Sequence, residues 1–152
     1  MARAAVRMVV EGPVGAAEQL WYDPTRWPSF VDGFGHVVRV DEGWPTAGAR
    51  SVWDSTPAGR GRVSERVIDQ RPGEGQTLAV EDPRVHGTQE VRFAPVEDGT
   101  EVRLELVYDL KQRNPLTPLI DLLFIRRAMR DSLRRTLTRF GRELAADREL
   151  LR

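Results

Sequence analysis

Apolar residues recur at steps of three or four along the last quarter of the chain. Leu122, Ile125, Met129, Leu133, Leu137, Phe140 and Leu144 fall on one stripe of a 3.6-residue period. The spacing predicts a helix over residues 115–150, opening at Pro115 and interrupted after Pro118 only by the tolerable Gly141. At 1.5 Å per residue such a helix runs roughly 40 Å, long enough to cross a small domain. It cannot leave its stripe in water, so another element must cover it.

Before that helix the pattern changes from a period of three or four to a period of two. Val6, Met8 and Val10 alternate with Arg7, Val9 and Glu11, which predicts a first strand over 4–11, stopped by Gly12 and Pro13. Val14, Ala17, Leu20 and Trp21 stand at helical spacing and predict a short helix over 14–22. Asp23 is a candidate cap for a second short helix beginning at Pro24. Six more strands are expected, over 36–41, 50–56, 61–69, 77–81, 86–93 and 101–110, with turn residues about every ten positions. Val102, Leu104, Leu106, Tyr108 and Leu110 share one face of the last strand, and the Asp98–Gly99 pair before it signals a hairpin. The short connections imply antiparallel neighbours. Seven strands are too wide to lie flat on one helix, so the sheet is expected to curl around it. A concave wall gripping one helix tends to leave a hollow where a small apolar ligand can sit.

This order resembles the START-like (SRPBCC) superfamily, in particular its polyketide cyclase/dehydrase and lipid-transport branch. The resemblance rests on the element order, on DPTRWPSFVDGFGHVVRV at 23–40, on FAPVEDGTEVRLELVYDL at 93–110 and on the terminal helix. It covers essentially all of residues 1–152 as a single domain. It implies an α+β helix-grip fold: a seven-stranded curled antiparallel sheet around a long C-terminal helix, with two short helices after the first strand. It also implies a cavity for a hydrophobic small molecule, a lipid or a polyketide. Some relatives cyclise or dehydrate polyketides and others carry lipids. No catalytic set can be carried over residue by residue.

Composition narrows the chemistry. The chain of 152 residues has no cysteine, which removes disulfides and thiol catalysis, and its two histidines leave little for zinc. No metal and no cofactor are expected. Gly-rich phosphate loops and a GxSxG elbow are absent. No apolar run is long enough to span a membrane and no leader is recognisable, so the cytoplasm is the expected location. Formal net charge is zero, yet nine arginines face five acids between Leu116 and Arg152. Zero net charge and the lack of interleaved aromatic residues argue against nucleic acid as a partner.

The candidate acid/base groups are Tyr108, His86 and Glu65. Tyr108 lies on the apolar face of its strand and must either bond a neighbour or point at a ligand. His86 suits proton transfer near neutral pH but stands at a strand end; His36, also at a strand end, is a weaker candidate. Glu65 shares a face with Val63 and Val67, where a carboxylate needs a partner or a proton; the opposite parity would leave it exposed. The expected ligand-lining set is Trp53, Gln89, Val91, Phe93, Leu104, Leu106, Tyr108, Leu122, Ile125, Met129 and Leu133. Trp53 alternates with Val52, so one of the two faces inward. Trp21 and Trp27 are expected to pack the short helices, and Trp44 to stand on a rim loop.

The start of the long helix is apolar on a second side. Leu116, Leu119, Ile120, Leu123 and Phe124 lie beyond the main stripe. The short helices or a kink near Asp121 are expected to cover them. Otherwise Leu116, Ile120, Leu123 and Phe124 would make a peripheral membrane contact or a homodimer contact. Three functions remain open: a binding or carrier module for a hydrophobic molecule, a polyketide cyclase, aromatase or dehydratase working in the same cavity, and a membrane- or protein-docking module.

Overall fold

A computed structural model describes residues 1–112, 116 and 118–152. The elements are β1 (Ala2–Val10), α1 (Val14–Trp21), α2 (Trp27–Phe30), β2 (Phe34–Val40), β3 (Arg50–Ser55), β4 (Arg62–Arg71), β5 (Gly75–Glu81), β6 (Val85–Val96), β7 (Gly99–Leu110) and α3 (Leu119–Leu150). All seven strands form one antiparallel sheet in the order β1-β7-β6-β5-β4-β3-β2. From β2 to β7 each strand pairs with its sequence neighbour, and β1 closes the row beside β7. The sheet curls about α3, which lies across β1. This is the helix-grip arrangement expected from the sequence.

The two-residue period decides which side of each strand is buried. The row Ala4–Leu106–Gln89–Leu78–Val67 runs across five strands on the inner face, beside the row Val6–Leu104–Val91–Gln76. Val63, Val67, Val102 and Leu104 are at most 1% exposed. A one-residue slip would turn every one of these side chains to solvent, so the register is strongly specified. At the β6–β7 hairpin Val96 pairs with Gly99, which leaves Glu97 and Asp98 at the tip. Gly99 has φ +148°, and a Cβ there would stand 2.0 Å from the Val10 carbonyl oxygen. Only glycine lets β1 close on β7 at this point.

α3 is held along its second half. Leu133, Leu137, Phe140 and Leu144 are buried on the expected stripe, joined by Thr136. Phe140 meets Trp21 and Phe30 edge-on, each at 5.2 Å between centroids, and so pins α1 and α2 to α3. Arg26 reinforces this from the turn before α2, with bonds of 2.8–3.0 Å to Asp147 and Glu143. At Gly141 an added Cβ would meet Met8 Sδ and Val10 Cγ1 at 3.4 Å, so the helix lies close on β1.

One boundary and one packing expectation differ from what the structure has. The second short helix starts at Trp27 rather than Pro24, because Asp23 Oδ1 accepts from the backbone N–H and hydroxyl of Thr25 and holds a turn there. Pro28 then sits in the first turn of α2, where no N–H is needed. The expected helix start at Pro115 lies outside the described residues, and α3 begins at Leu119. The short helices do not cover the second apolar side of α3. Leu119, Ile120 and Phe124 are more than 70% exposed and Leu123 is 54% exposed.

Candidate functional site

The inner face of β3, β4 and β5, the turn around α2 and the middle of α3 enclose a hollow of about 70 Å³. Its wall includes Trp27, Phe30, Phe34, Trp44, Trp53, Leu78, Gln89, Leu104 and Leu133. Four of these rings form a continuous chain. Trp44 meets Trp27 at 5.4 Å, Trp27 meets Phe34 at 6.2 Å, and Phe34 stacks on Trp53 at 4.9 Å. Backbone carbonyls fix two indoles: Trp27 Nε1 donates to Trp21 at 2.9 Å and Trp44 Nε1 to Tyr22 at 3.1 Å. The rings are therefore held in place before any ligand arrives.

Arg60 ends this chain. It enters from the loop between β3 and β4, and its guanidinium carbon lies 6.0 Å from the Trp53 ring centre. Its Nε donates to Asp82 at 2.8 Å, while Asp82 also accepts from the backbone N–H groups of Arg84 and Val85. The Nη2 of Arg60 is buried and has no hydrogen-bond partner among the described residues. A buried charged donor in this state is costly unless something accepts from it.

Glu65 faces the same hollow, between Val63 and Val67 on the inner side of β4. Its Oε1 accepts from Ser51 Oγ at 2.8 Å and from Trp53 Nε1 at 3.3 Å. Burial pushes the carboxyl above its usual range; the Ser51 and Trp53 bonds and the Arg60 charge pull it down only in part. The folded state thus favours the protonated form. Ionising Glu65 adds no destabilisation below its unfolded pKa of about 4.3, and the penalty grows as pH rises through the folded value. Glu65→Gln keeps an oxygen for Ser51 and Trp53. Calorimetry is expected to show the variant melting higher than the parent near neutral pH and level with it near pH 4. A gain that is the same at both pH values would contradict a raised Glu65.

Asp32 closes the hollow on the α2 side. It accepts from Ser132 Oγ at 2.7 Å, from Arg135 at 3.0 and 3.1 Å and from Arg139 at 3.1 Å, and its own N–H donates to Thr136 Oγ1. Burial alone would raise this carboxyl; Arg135, Ser132 and Arg139 outweigh it and hold the pKa low. Asp32 is therefore an ionised strut, chemically unlike Glu65 across the cavity.

The expected lining residues divide between two places. Trp53, Gln89, Leu104 and Leu133 line the hollow with Glu65. Val91, Phe93 and Leu106 face inward but are packed into the core at 2–4% exposure. Met129 is half-buried against that core. Tyr108, Leu122 and Ile125 line a different hollow, of about 220 Å³, between the start of α3 and the β1–β7 edge. Burial raises the Tyr108 pKa against the pull of Arg126. His86 lies on the outer face of β6 because its neighbours Gly87 and Gln89 take the inner positions' parity; it cannot reach the hollow. His36 is exposed beside Asp54. Among the described residues no cluster of three acids or histidines could hold a metal ion. No described helix is long and apolar enough to cross a membrane.

Sequence patterning did not find Arg60, Asp32, Gln76 or Ser132. Gln76 sits on the inner face of β5 and donates to the Pro45 carbonyl at 3.0 Å; strand alternation with Leu78 and Val80 could have found it. Arg60 and Asp32 stand in turns, where no period assigns a side.

Comparison with known proteins bears on the whole chain. A family model described as polyketide cyclase/dehydrase and lipid transport matches residues 1–145. No curated protein matches. Among solved structures, a protein from Rhodobacter sphaeroides superposes with a TM-score of 0.70 at 20% identity, covering 95% of this chain and 92% of its own. A protein of unknown function from Staphylococcus aureus gives 0.74 at 9% identity, covering 97% and 96%. The di-domain aromatase/cyclase StfQ of steffimycin biosynthesis gives 0.77 at 18% identity, covering 97% of this chain and 51% of StfQ. At these identities the likeness shows the fold.

Proposed function

Because the chain belongs to the polyketide cyclase/dehydrase and lipid transport family, we propose that it binds a hydrophobic, polyketide-like small molecule in the hollow between its sheet and α3. The observation that carries this reading is the unpaired Arg60 Nη2 at the end of four linked aromatic rings. The rings suit the faces of a planar, conjugated molecule. The free N–H suits a carbonyl, enolate or carboxylate oxygen at one end of it. Gln89 adds an amide in the same wall. Residues 1–152 act in this reading as one ligand-binding domain.

A space of about 70 Å³ holds two or so waters at roughly 30 Å³ each, not a fused ring system. Entry therefore requires the rim to open, and the rim is made of loops: Arg60 before β4 and Trp44 between β2 and β3.

The test is quenching of tryptophan fluorescence by a planar hydroxyanthraquinone. Arg60→Met keeps the length of the stem and removes the donor. It is expected to weaken binding about tenfold or more, the worth of one charge-assisted hydrogen bond. Equal affinity in parent and variant would sink the assignment of Arg60 to the ligand.

A second reading, a cyclase, aromatase or dehydratase in the same cavity, is favoured by Glu65. Its carboxyl faces the hollow, and burial keeps it protonated to a higher pH than an ordinary carboxyl. It could give a proton to a ligand carbonyl or take one from the adjacent carbon. On this reading Glu65→Gln binds the anthraquinone as before but no longer converts a linear polyketone.

A further inference from the structure

We propose that the first two turns of α3 dock the protein on an anionic lipid surface. Leu119, Ile120, Leu123 and Phe124 are 54–74% exposed, together at one end of the helix. No other described surface gathers as many large apolar side chains in so few residues. A soluble helix seldom leaves such a cluster in water without a use for it.

The charge next to the cluster identifies the occupant. Ile120, Phe124, Arg127, Asp131 and Arg134 follow one another at steps of four, three, four and three, so one line along the helix turns from apolar to charged, with two arginines against one carboxylate. Leu123 and Arg130 repeat the change one step aside. Arg127, Arg130 and Arg134 are exposed and form no ion pair with any described residue. By contrast Arg135 and Arg139, further round the helix, are both tied to Asp32. The protein has zero formal net charge, so these cations are a local feature of this surface.

That order fits the depth profile of a membrane interface. Apolar side chains enter the acyl boundary by roughly 5–10 Å, and arginines one turn further along meet the lipid phosphates. A second copy packed with the two helices parallel would bring the arginines of both copies together, whereas lipid phosphates would neutralise them. The docked end of α3 also forms a wall of the 220 Å³ hollow beside Tyr108 and Ile125, which places that opening next to the lipid. Docking does not depend on what fills the Arg60–Glu65 cavity, so either proposal can fail without the other.

The test is flotation of the purified chain with phosphatidylcholine vesicles, with and without about one third phosphatidylglycerol. The parent is expected to float with the anionic vesicles, to lose binding at high salt and to bind the neutral vesicles weakly. Ile120→Glu/Phe124→Glu is expected to lower anionic binding at least tenfold, and Arg127→Ser/Arg130→Ser by roughly thirtyfold. All four side chains are exposed, so melting temperatures should stay at the parental value. Absence of binding to anionic vesicles, or equal binding to both kinds, would overturn the proposal. So would a dimer in solution that Ile120→Glu/Phe124→Glu dissolves.

Discussion

Phe140→Asp is expected to leave no folded protein at room temperature. Phe140 is fully buried, with the rings of Trp21 and Phe30 both 5.2 Å away. Truncating a buried phenylalanine costs about 3–5 kcal/mol, and an unpaired carboxylate in its place costs several more. Total stability of a domain this size is about 5–15 kcal/mol. The nearest arginine by sequence, Arg139, is bonded to Asp32 on the helix exterior and is not free to follow the new charge inward. Circular dichroism should show the loss of helix and sheet together, since α3 and the short helices pinned to it by Phe140 cover the concave face. Phe140→Leu should remain folded and lose about 1 kcal/mol. A Phe140→Asp protein with parental melting would mean that α3 does not lie in the grip of the sheet.

Asp82→Ala is expected to damage fold and site at once. The Asp82 side chain is 2% exposed and accepts three hydrogen bonds: two from backbone N–H groups at the start of β6 and one from Arg60. Alanine leaves the Val85 N–H buried without its carboxylate partner and releases the guanidinium from its one hydrogen bond among the described residues. The stability loss is about 2–4 kcal/mol, because unpaired buried donors carry their full desolvation penalty. Thermal unfolding reads that loss. Anthraquinone affinity should fall alongside it toward the Arg60→Met value, since an untethered Arg60 must be ordered by the ligand itself. Asp82→Asn retains an acceptor oxygen and should recover part of both. Full affinity in a destabilised Asp82→Ala protein would separate Arg60 from ligand binding.

The fold was legible because its two periods are clean. Val102, Leu104, Leu106 and Tyr108 announce a one-sided strand, and Leu133, Leu137, Phe140 and Leu144 announce the helix that covers it. The same parity argument put Glu65 on one face with Val63 and Val67 but left open whether that face is the inner one; in the structure Val63 and Val67 are buried on the inner side. The candidate site was less legible because what defines it does not repeat. Arg60 and Asp32 stand in turns, and the ring chain brings Trp27, Phe34, Trp44 and Trp53 together from α2, two strands and a loop. Periodicity also could not tell inward-facing residues that fill the core, such as Val91 and Phe93, from those beside an empty space. That depends on the curl of the sheet. The apolar front of α3 was expected to be covered by the short helices. Arg26, Asp32 and Trp21 hold those helices to residues 132–147 instead, too far along α3 to reach Phe124.

The most direct test of ligand binding in the hollow is the set of indole N–H signals in a proton–nitrogen NMR spectrum. The chain has four tryptophans and so four such signals. Trp53 donates to Glu65 inside the hollow, and Trp27 and Trp44 form the opposite end of the ring chain. On titration with the hydroxyanthraquinone the Trp53 indole signal is expected to move furthest, followed by Trp44 and Trp27. Trp21, wedged between Phe30 and Phe140, should move least. Shifts confined to the backbone signals of residues 119–126, with all four indole signals unmoved, would contradict a ligand site between the sheet and the middle of α3.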